Sequence, residues 1–428
     1  MSYRQKTTVS IQNFGPIKDI TINLSQTTIV TGAQATGKST VAKVVYFCKT
    51  IKDEILKQFS IPGGTDYINS SLENGIMKRL RGKFLGIFGS TWAMSMDMWI
   101  RCDYSSETWV EIYLEKDRKD KSKNYVSFKF SNSIKDMIFR LEQLSSTDPE
   151  NINTARTELA ELFQDDSECI YIPAGRGMIT LLTDQLSYIF SGDEAFHATI
   201  DRCTQNYVNT ILRLRPQFAN GTAGLLETKL HTTQEIVDQK RLNELSDLTK
   251  KIIKGEYIYN ANEERLRIDN NKYVKINYAS SGQQESVWIL NMMYYYILNR
   301  RKTFLIIEEP EAHLYPDGQK WITQAIGLFA NADNQVFITT HSPYILGEFN
   351  NLLYAGNLVR QKISVDSVLM KEQVLDPQTT NGLYITNGIC ENAIEDGLFR
   401  NELIDGASMM INDENDRLME ILWDNKKA

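Results

Sequence analysis

A lysine and a serine close a glycine-bounded loop, Gly32-Ala33-Gln34-Ala35-Thr36-Gly37-Lys38-Ser39, followed by Thr40. The spacing fits G-x-x-x-x-G-K-[ST], a loop that cradles a phosphate chain. Gly32 and Gly37 let the backbone curl round phosphates with no Cβ in the way. The loop N–H groups and the start of the following helix point at that negative charge. Lys38 supplies a mobile cation for the β- and γ-phosphates, and the Ser39 hydroxyl can ligate Mg²⁺. A second stretch, Thr303 to Pro310, is an apolar strand that delivers Glu308 and Glu309 at its tip. Glu308 suits Mg²⁺, and Glu309 suits the positioning or deprotonation of a water that attacks a phosphoryl group. Adjacent carboxylates repel, so a cation is expected beside them.

His341-Ser342-Pro343 ends another β-rich run, Gln335 to Thr340. Alone, His341 reads as a satisfied core residue; following two acids on a neighbouring strand, it reads as a sensor of the γ-phosphate or of the attacking water. Ser280-Ser281-Gly282-Gln283-Gln284-Glu285 opens a helix some twenty residues before the acidic pair. Ser-Gly at a helix start is an anion-binding arrangement, although an ordinary capped start has the same composition.

These residues need a scaffold, and the patterning supplies one. Thr28, Ile29 and Val30 form a short buried strand before the loop, and Val41, Val44 and Val45 mark one face of a helix over about 39–58. Thr7–Ile11 and Ile17–Leu24 alternate as a hairpin round Asn13-Phe14-Gly15-Pro16, and Met98–Tyr104, Trp109–Glu115 and Tyr125–Phe130 read as an antiparallel meander. The charged run Lys116–Lys123 is an exposed hairpin loop. Lys78, Arg79, Arg81 and Lys83 lie on a helix ending at Phe88, as a solvated face or a contact for nucleotide or an acidic partner. Cys169–Ile172 is a strand ending in Pro173-Ala174-Gly175-Arg176-Gly177; Arg176 reads as reaching a phosphate or a neighbouring subunit, or as a surface salt bridge. Residues 178–253 are mostly helical, with Leu242, Leu245, Leu248 and Ile252 on one face; strands return at Tyr257–Tyr259 and Tyr273–Tyr278. A strand pair at 352–370 and a helical tail at 388–423 are predicted, with Asp413-Glu414-Asn415-Asp416 read as polar helix rather than metal site.

The chain of 428 residues is 42% hydrophobic with a net charge of −7, which argues against a whole-surface nucleic-acid binder. There is no uncharged apolar run long enough for a membrane span and no apolar signal core, so a cytoplasmic protein is expected. Cys48, Cys102, Cys169, Cys203 and Cys390 are far apart in sequence and read as reduced thiols.

Taken in order, GAQATGKST, SSGQQE, FLIIEEPEAHLYP and FITTHSP resemble the ABC-type ATPase head shared by SMC and Rad50 proteins, RecF and the ATPase half of OLD-family nucleases. IEEPEAHLYP, TTHSP and the opening IQNFGPIKDI are most similar to the OLD-like ATPases of bacterial defence systems. The resemblance implies an α/β fold: a phosphate-loop head with a mixed central sheet, a flanking antiparallel β-layer and a helical insertion. It divides the chain into 1–175 and 255–350 as the two halves of the head, 176–254 as the insertion and 351–428 as the C-terminal segment. It implies ATP and Mg²⁺ as cofactors, Glu308 as the metal-holding acid, Glu309 as base and His341 as switch. Ser281, Gly282 and Gln283 become a signature loop that completes the site of a second copy, which implies an ATP-sandwiched homodimer and higher homo-oligomers. Glu311 and His313 fall in the D-loop region. OLD nucleases continue into a large Toprim nuclease domain, whereas 85 residues follow Pro343 here. The resemblance therefore points to a separate effector, Toprim-like in fold, released by a phage protein or nucleic acid. The alternative is a RecF- or Rad50-like DNA-repair ATPase that binds DNA.

Overall fold

The computed structural model describes residues 7–61, 71–91, 94–116, 124–180, 200–232, 237–260, 263–269 and 272–427. The charged run expected as a hairpin loop lies almost wholly outside these residues.

Strands β1 (Thr8–Phe14) and β2 (Ile17–Asn23) form the expected hairpin, and β3 (Thr27–Thr31) leads into the phosphate loop. The helix expected over 39–58 is two helices, α1 (Lys38–Lys49) and α2 (Ile51–Phe59). They break at Thr50, whose hydroxyl bonds back to the carbonyls of Tyr46 and Phe47. Then come α3 (Leu72–Phe88), the meander β4 (Trp99–Asp103), β5 (Trp109–Lys116) and β6 (Asn124–Phe130), α4 (Asn132–Glu142), α5 (Pro149–Leu162) and β7 (Glu168–Ile172). Next come α6 (Arg202–Leu214), α7 (Gly221–Thr232) and α8 (Gln239–Ile253), and a small separate sheet of β8 (Glu256–Asn260), β9 (Glu263–Asp269) and β10 (Lys272–Lys275). The chain continues with α9 (Ser281–Leu298), β11 (Thr303–Glu308), α10 (Pro316–Ala330), β12 (Gln335–Thr340) and α11 (Pro343–Arg360).

The C-terminal strand pair predicted at 352–370 is corrected. Ile345, Leu346, Phe349, Leu352 and Leu353 are buried at helical spacing and form α11. The strand pair is instead β13 (Thr380–Thr386) with β14 (Ile389–Asn392), and the tail helix α12 begins later, at Asn401–Lys427. That hairpin joins the two sheet types. One eleven-stranded sheet runs β6-β5-β4-β1-β2-β14-β13-β3-β12-β11-β7, antiparallel at the meander end and parallel from β13 to β7. The antiparallel layer therefore continues the central sheet edge to edge.

The parallel strands are covered on both faces. Leu305 and Ile307 of β11 face a core shared with α8, α9, α10 and α11, and Phe304 and Ile306 face a core shared with α1 to α5. All six β11 residues are buried, as a strand between two helix layers requires. Cys48 and Cys102 are joined by a disulfide that links α1 to β4, their Cα atoms 6.1 Å apart, which corrects the reading of all five cysteines as reduced thiols. A separation of 54 residues gives sequence no sign of that contact.

The basic stretch of α3 is not a solvated face throughout. Arg79 and Lys83 reach Glu54 of α2, at 2.6 and 3.0 Å, and Lys57 reaches it at 3.2 Å. Burial works to raise the Glu54 carboxyl, yet Lys83, Lys57 and Arg79 bring it from the ordinary 4.5 down to about 2. A carboxyl depressed by folding contributes stability above its unfolded value and loses it as pH falls through its folded value. The melting temperature is therefore expected to fall between about pH 4.5 and pH 2 on this account, and Glu54→Gln to flatten that limb while lowering stability at neutral pH. Thermal melts across that range check both.

No helix among the described residues is long and apolar enough to cross a membrane.

Candidate nucleotide and magnesium site

Register brings four strand ends to one edge. Thr31 pairs with Thr340, Thr339 with Glu308, and Ile307 with Ile172. The phosphate loop, His341, the two acids and the Pro173–Gly177 turn thus emerge side by side, at the carboxyl ends of parallel strands where open α/β sheets bind ligands.

The loop from Gly32 to Gly37 is shaped by backbone that side chains disfavour. Gly32 has φ 148° and Gly37 φ 106°; a Cβ on Gly32 would lie 2.4 Å from the Ile385 carbonyl of β13, and one on Gly37 would lie 2.5 Å from Ile17. Thr36 closes the loop with a 2.9 Å hydrogen bond to the Ala33 carbonyl. The Lys38 ammonium donates to the Gly32 and Ala33 carbonyls at 2.7 and 2.8 Å. Burial lowers its pKa, opposed by Glu309, Glu311 and Glu308, so the cation expected beside the adjacent acids is Lys38 itself.

Glu308 is almost wholly buried. Its carboxylate accepts from the Ser39 hydroxyl on one oxygen and from the Tyr171 hydroxyl on the other. Ser39 and Glu308, predicted as metal ligands from opposite ends of the sequence, are therefore in contact. A hydroxyl and a carboxylate are hard oxygen donors that fit Mg²⁺, and the narrow glycine cradle beside them fits a phosphate chain. Glu309 turns out of the strand at φ 46°, a strained value for a residue with a Cβ, and its N–H is pinned to the Thr339 carbonyl at 2.8 Å. His341 Nδ1 lies 3.5 Å from Glu309 and 3.4 Å from Glu311. Buried Glu311 accepts from the His341 N–H at 2.9 Å and from the Thr340 hydroxyl at 2.8 Å, which fixes the turn that carries the histidine. Gln34, Ala35, Gly37, Lys38, Ser39, Thr40, Glu309 and His341 line one cleft of about 540 Å³, with Pro16 at its side.

Ser281, Gly282 and Gln283 do not line that cleft within one chain. They open α9 under a capping box in which Gln283 accepts from the Ser280 N–H at 2.9 Å and donates to the Ile253 carbonyl at 2.6 Å. Gly282 packs so closely on the turn after β11 that a Cβ there would meet the His313 carbonyl at 2.7 Å.

Arg176 reaches neither phosphate nor the surface. It is fully buried and donates to the carbonyls of Glu308, Glu309, Pro173 and Glu285, at 2.7, 2.9, 3.1 and 2.7 Å. It ties the acidic tip of β11 to the first turns of α9, so both sequence readings of Arg176 are corrected. Tyr171 is a site residue that the sequence reading missed. Its ring is buried, and both burial and the Glu308 charge raise its pKa well above the ordinary 10, so it stays a proton donor. The alternation of Cys169–Ile172 puts Tyr171 opposite Ile306, but nothing in that pattern marks it as a partner of Glu308. Tyr171→Phe removes one of the two hydroxyls that orient the metal acid. It is expected to weaken Mg²⁺ affinity roughly 10- to 100-fold, seen as a higher Mg²⁺ requirement for turnover with metal-free nucleotide binding unchanged.

Fold and site together define a phosphate-loop ATPase domain. The chain belongs to the AAA ATPase domain family, whose profile matches residues 6–174 and 180–346. No curated protein matches it. Among solved structures, an SMC head bound to the C-winged helix domain of ScpA is similar at 11% identity and TM-score 0.38, covering 90% of this chain and 95% of that one. The SMC head domain from Thermotoga maritima gives 10% identity and TM-score 0.36, over 90% and 97% of the two chains. An Smc head with an extended coiled coil, bound to a ScpA C-terminal domain and derived from Pyrococcus furiosus, gives 11% and 0.37, over 90% and 94%.

Proposed function

We propose that this ATPase is of the ABC type, closing as a homodimer on two ATP molecules, and that it serves as the sensor and scaffold of a two-component antiviral system. One observation carries the ATPase chemistry: Lys38, Ser39, Glu309 and His341 line a single cleft, with Glu308 bonded to Ser39 behind it. Lys38 and the α1 N-terminus bind the phosphates. Ser39 and Glu308 hold Mg²⁺, which when bound neutralises charge on the phosphate oxygens. Glu309 takes a proton from the attacking water, and His341, backed by Glu311, orients it. Ser281, Gly282 and Gln283, absent from their own chain's cleft, are left to complete the partner's. Turnover is slow, because the cycle serves as a switch.

The antiviral role rests on the OLD-like sequences IEEPEAHLYP and TTHSP, which resemble ATPases of two-component systems such as PARIS. In this reading the protein holds a separate nuclease, Toprim-like in fold, until a phage component releases it. The DNA-repair reading draws no support from α3, where Arg79 and Lys83 are engaged by Glu54.

Co-purification of the native operon, with mass measured with and without ATP, tests the assembly. A dimer or larger ring that carries the neighbouring gene product is expected, and phage plating should fall only when both genes are present. An ATP-stimulated, salt-sensitive DNA complex with no protein partner would instead establish the repair reading.

A further inference from the structure

Away from the nucleotide cleft, α10, α11 and the chain that follows α11 line a second cavity of about 370 Å³, within the size range of small-ligand sites. Ala355 and Leu358 of α11, with Val365 and Leu369 beyond it, give the cavity apolar walls. Glu348, on the second turn of α11, also lines it and is only 5% exposed. One oxygen of its carboxylate accepts from the Gln324 side-chain amide of α10 at 2.7 Å, and the other accepts from the Asn351 side-chain amide at 2.9 Å. Both partners are neutral. Lys320, the one cation among the described residues lining the cavity, is exposed and makes no ion pair with Glu348.

A carboxylate withdrawn from water is costly unless a cation offsets the lost hydration, and two neutral amides offset only part of it. Were the Gln324–Glu348–Asn351 cluster purely internal, side chains would close over it; instead all three residues border an open cavity. Each carboxylate oxygen has accepted one hydrogen bond and keeps a second lone pair. Two acceptor sites therefore remain side by side, the pattern that the planar fork of a guanidinium fills with parallel N–H donors. The apolar walls suit the aliphatic stem that carries such a group. Tyr354 and Val368 line the same cavity yet are 57% and 83% exposed. A small free molecule would leave that apolar surface in water, whereas polypeptide on either side of an arginine would cover it. We propose that this cavity takes the arginine side chain of a partner protein, its guanidinium on Glu348. The inference goes beyond the nucleotide site and stands whether or not the antiviral reading does.

Three end-blocked tripeptides serve as probes, each with leucine on both sides of a central arginine, lysine or citrulline; citrulline keeps the shape of arginine and removes its charge. Free arginine is the fourth. In calorimetric titrations of the full chain, the arginine peptide is expected to bind at least tenfold more tightly than the citrulline peptide, and more tightly than the lysine peptide or free arginine. Glu348→Gln should bring the arginine and citrulline peptides within about twofold of each other. Ser367→Trp, which sets an indole against the cavity from an exposed position, should weaken the arginine peptide at least tenfold and decides the matter if the Glu348 variant does not fold. Parental ATP turnover in each variant shows that the head is folded. The proposal is overturned if the arginine peptide does not bind, if any other probe binds as tightly, or if its affinity is unchanged in Ser367→Trp or in folded Glu348→Gln.

Discussion

Lys38→Ala is expected to lose nucleotide recognition without loss of fold. In the structure the ammonium is held by two loop carbonyls, and burial already presses its pKa down, so the cation is a group the fold strains to keep. Its return comes from phosphate. Truncating one partner of a buried, hydrogen-bonded charge pair costs about 2–5 kcal/mol, which is roughly 30-fold to several thousandfold in affinity. A ligand that binds only the native state raises the melting temperature, by an amount that grows with the logarithm of its concentration once that exceeds Kd. The variant should therefore melt no earlier than the parent without nucleotide, and should show no upward shift when ATP is added. A parental shift would remove Lys38 from phosphate recognition.

Glu309→Gln should do the opposite: keep ATP and lose turnover. The amide matches the carboxylate in shape, so the left-handed turn pinned to Thr339 and the neighbouring His341 stay in place. What goes is the capacity to take a proton from water, which contributes on the order of 10²- to 10⁴-fold to rate. ATP binding is expected within a few-fold of the parent, with the bound-nucleotide dimer accumulating on a sizing column. Parental hydrolysis by this variant would move the base role elsewhere, and Glu311, bonded to the His341 N–H, would be the next group to test.

Local chemistry made the site legible before any coordinates. The phosphate loop and the acidic strand tip are each contiguous in sequence: Gly32 and Gly37 mark positions of positive φ and β-branched residues mark strands buried on both faces, whereas Ala35 at φ 63° and Glu309 at φ 46° take left-handed backbone that residue type does not announce. Ser39 and Glu308 could be expected side by side from chemistry alone, although 269 residues separate them, and the two are in contact. What stayed hidden depends on tertiary neighbours. Tyr171 is one of many aromatic residues at strand positions, and only the β7–β11 pairing sets its hydroxyl on Glu308. Arg176 followed a turn and looked exposed; four carbonyls drawn from separate elements explain its burial, and no spacing encodes that. The strand pair at 352–370 failed because a short apolar run fits both periods, and the α10 packing surface selected the helix.

The hairpin of β13 and β14 wedges between β2 and β3, and its Ile385 carbonyl closes against Gly32. Every other strand of the main sheet precedes it in the chain. A nascent polypeptide has therefore made the glycine loop, both glutamates and the histidine before it owns the two strands that fill the gap between β2 and β3. A fragment that stops at residue 346, where the family match ends, would carry the whole set of motifs with β2 and β3 left as open strand edges.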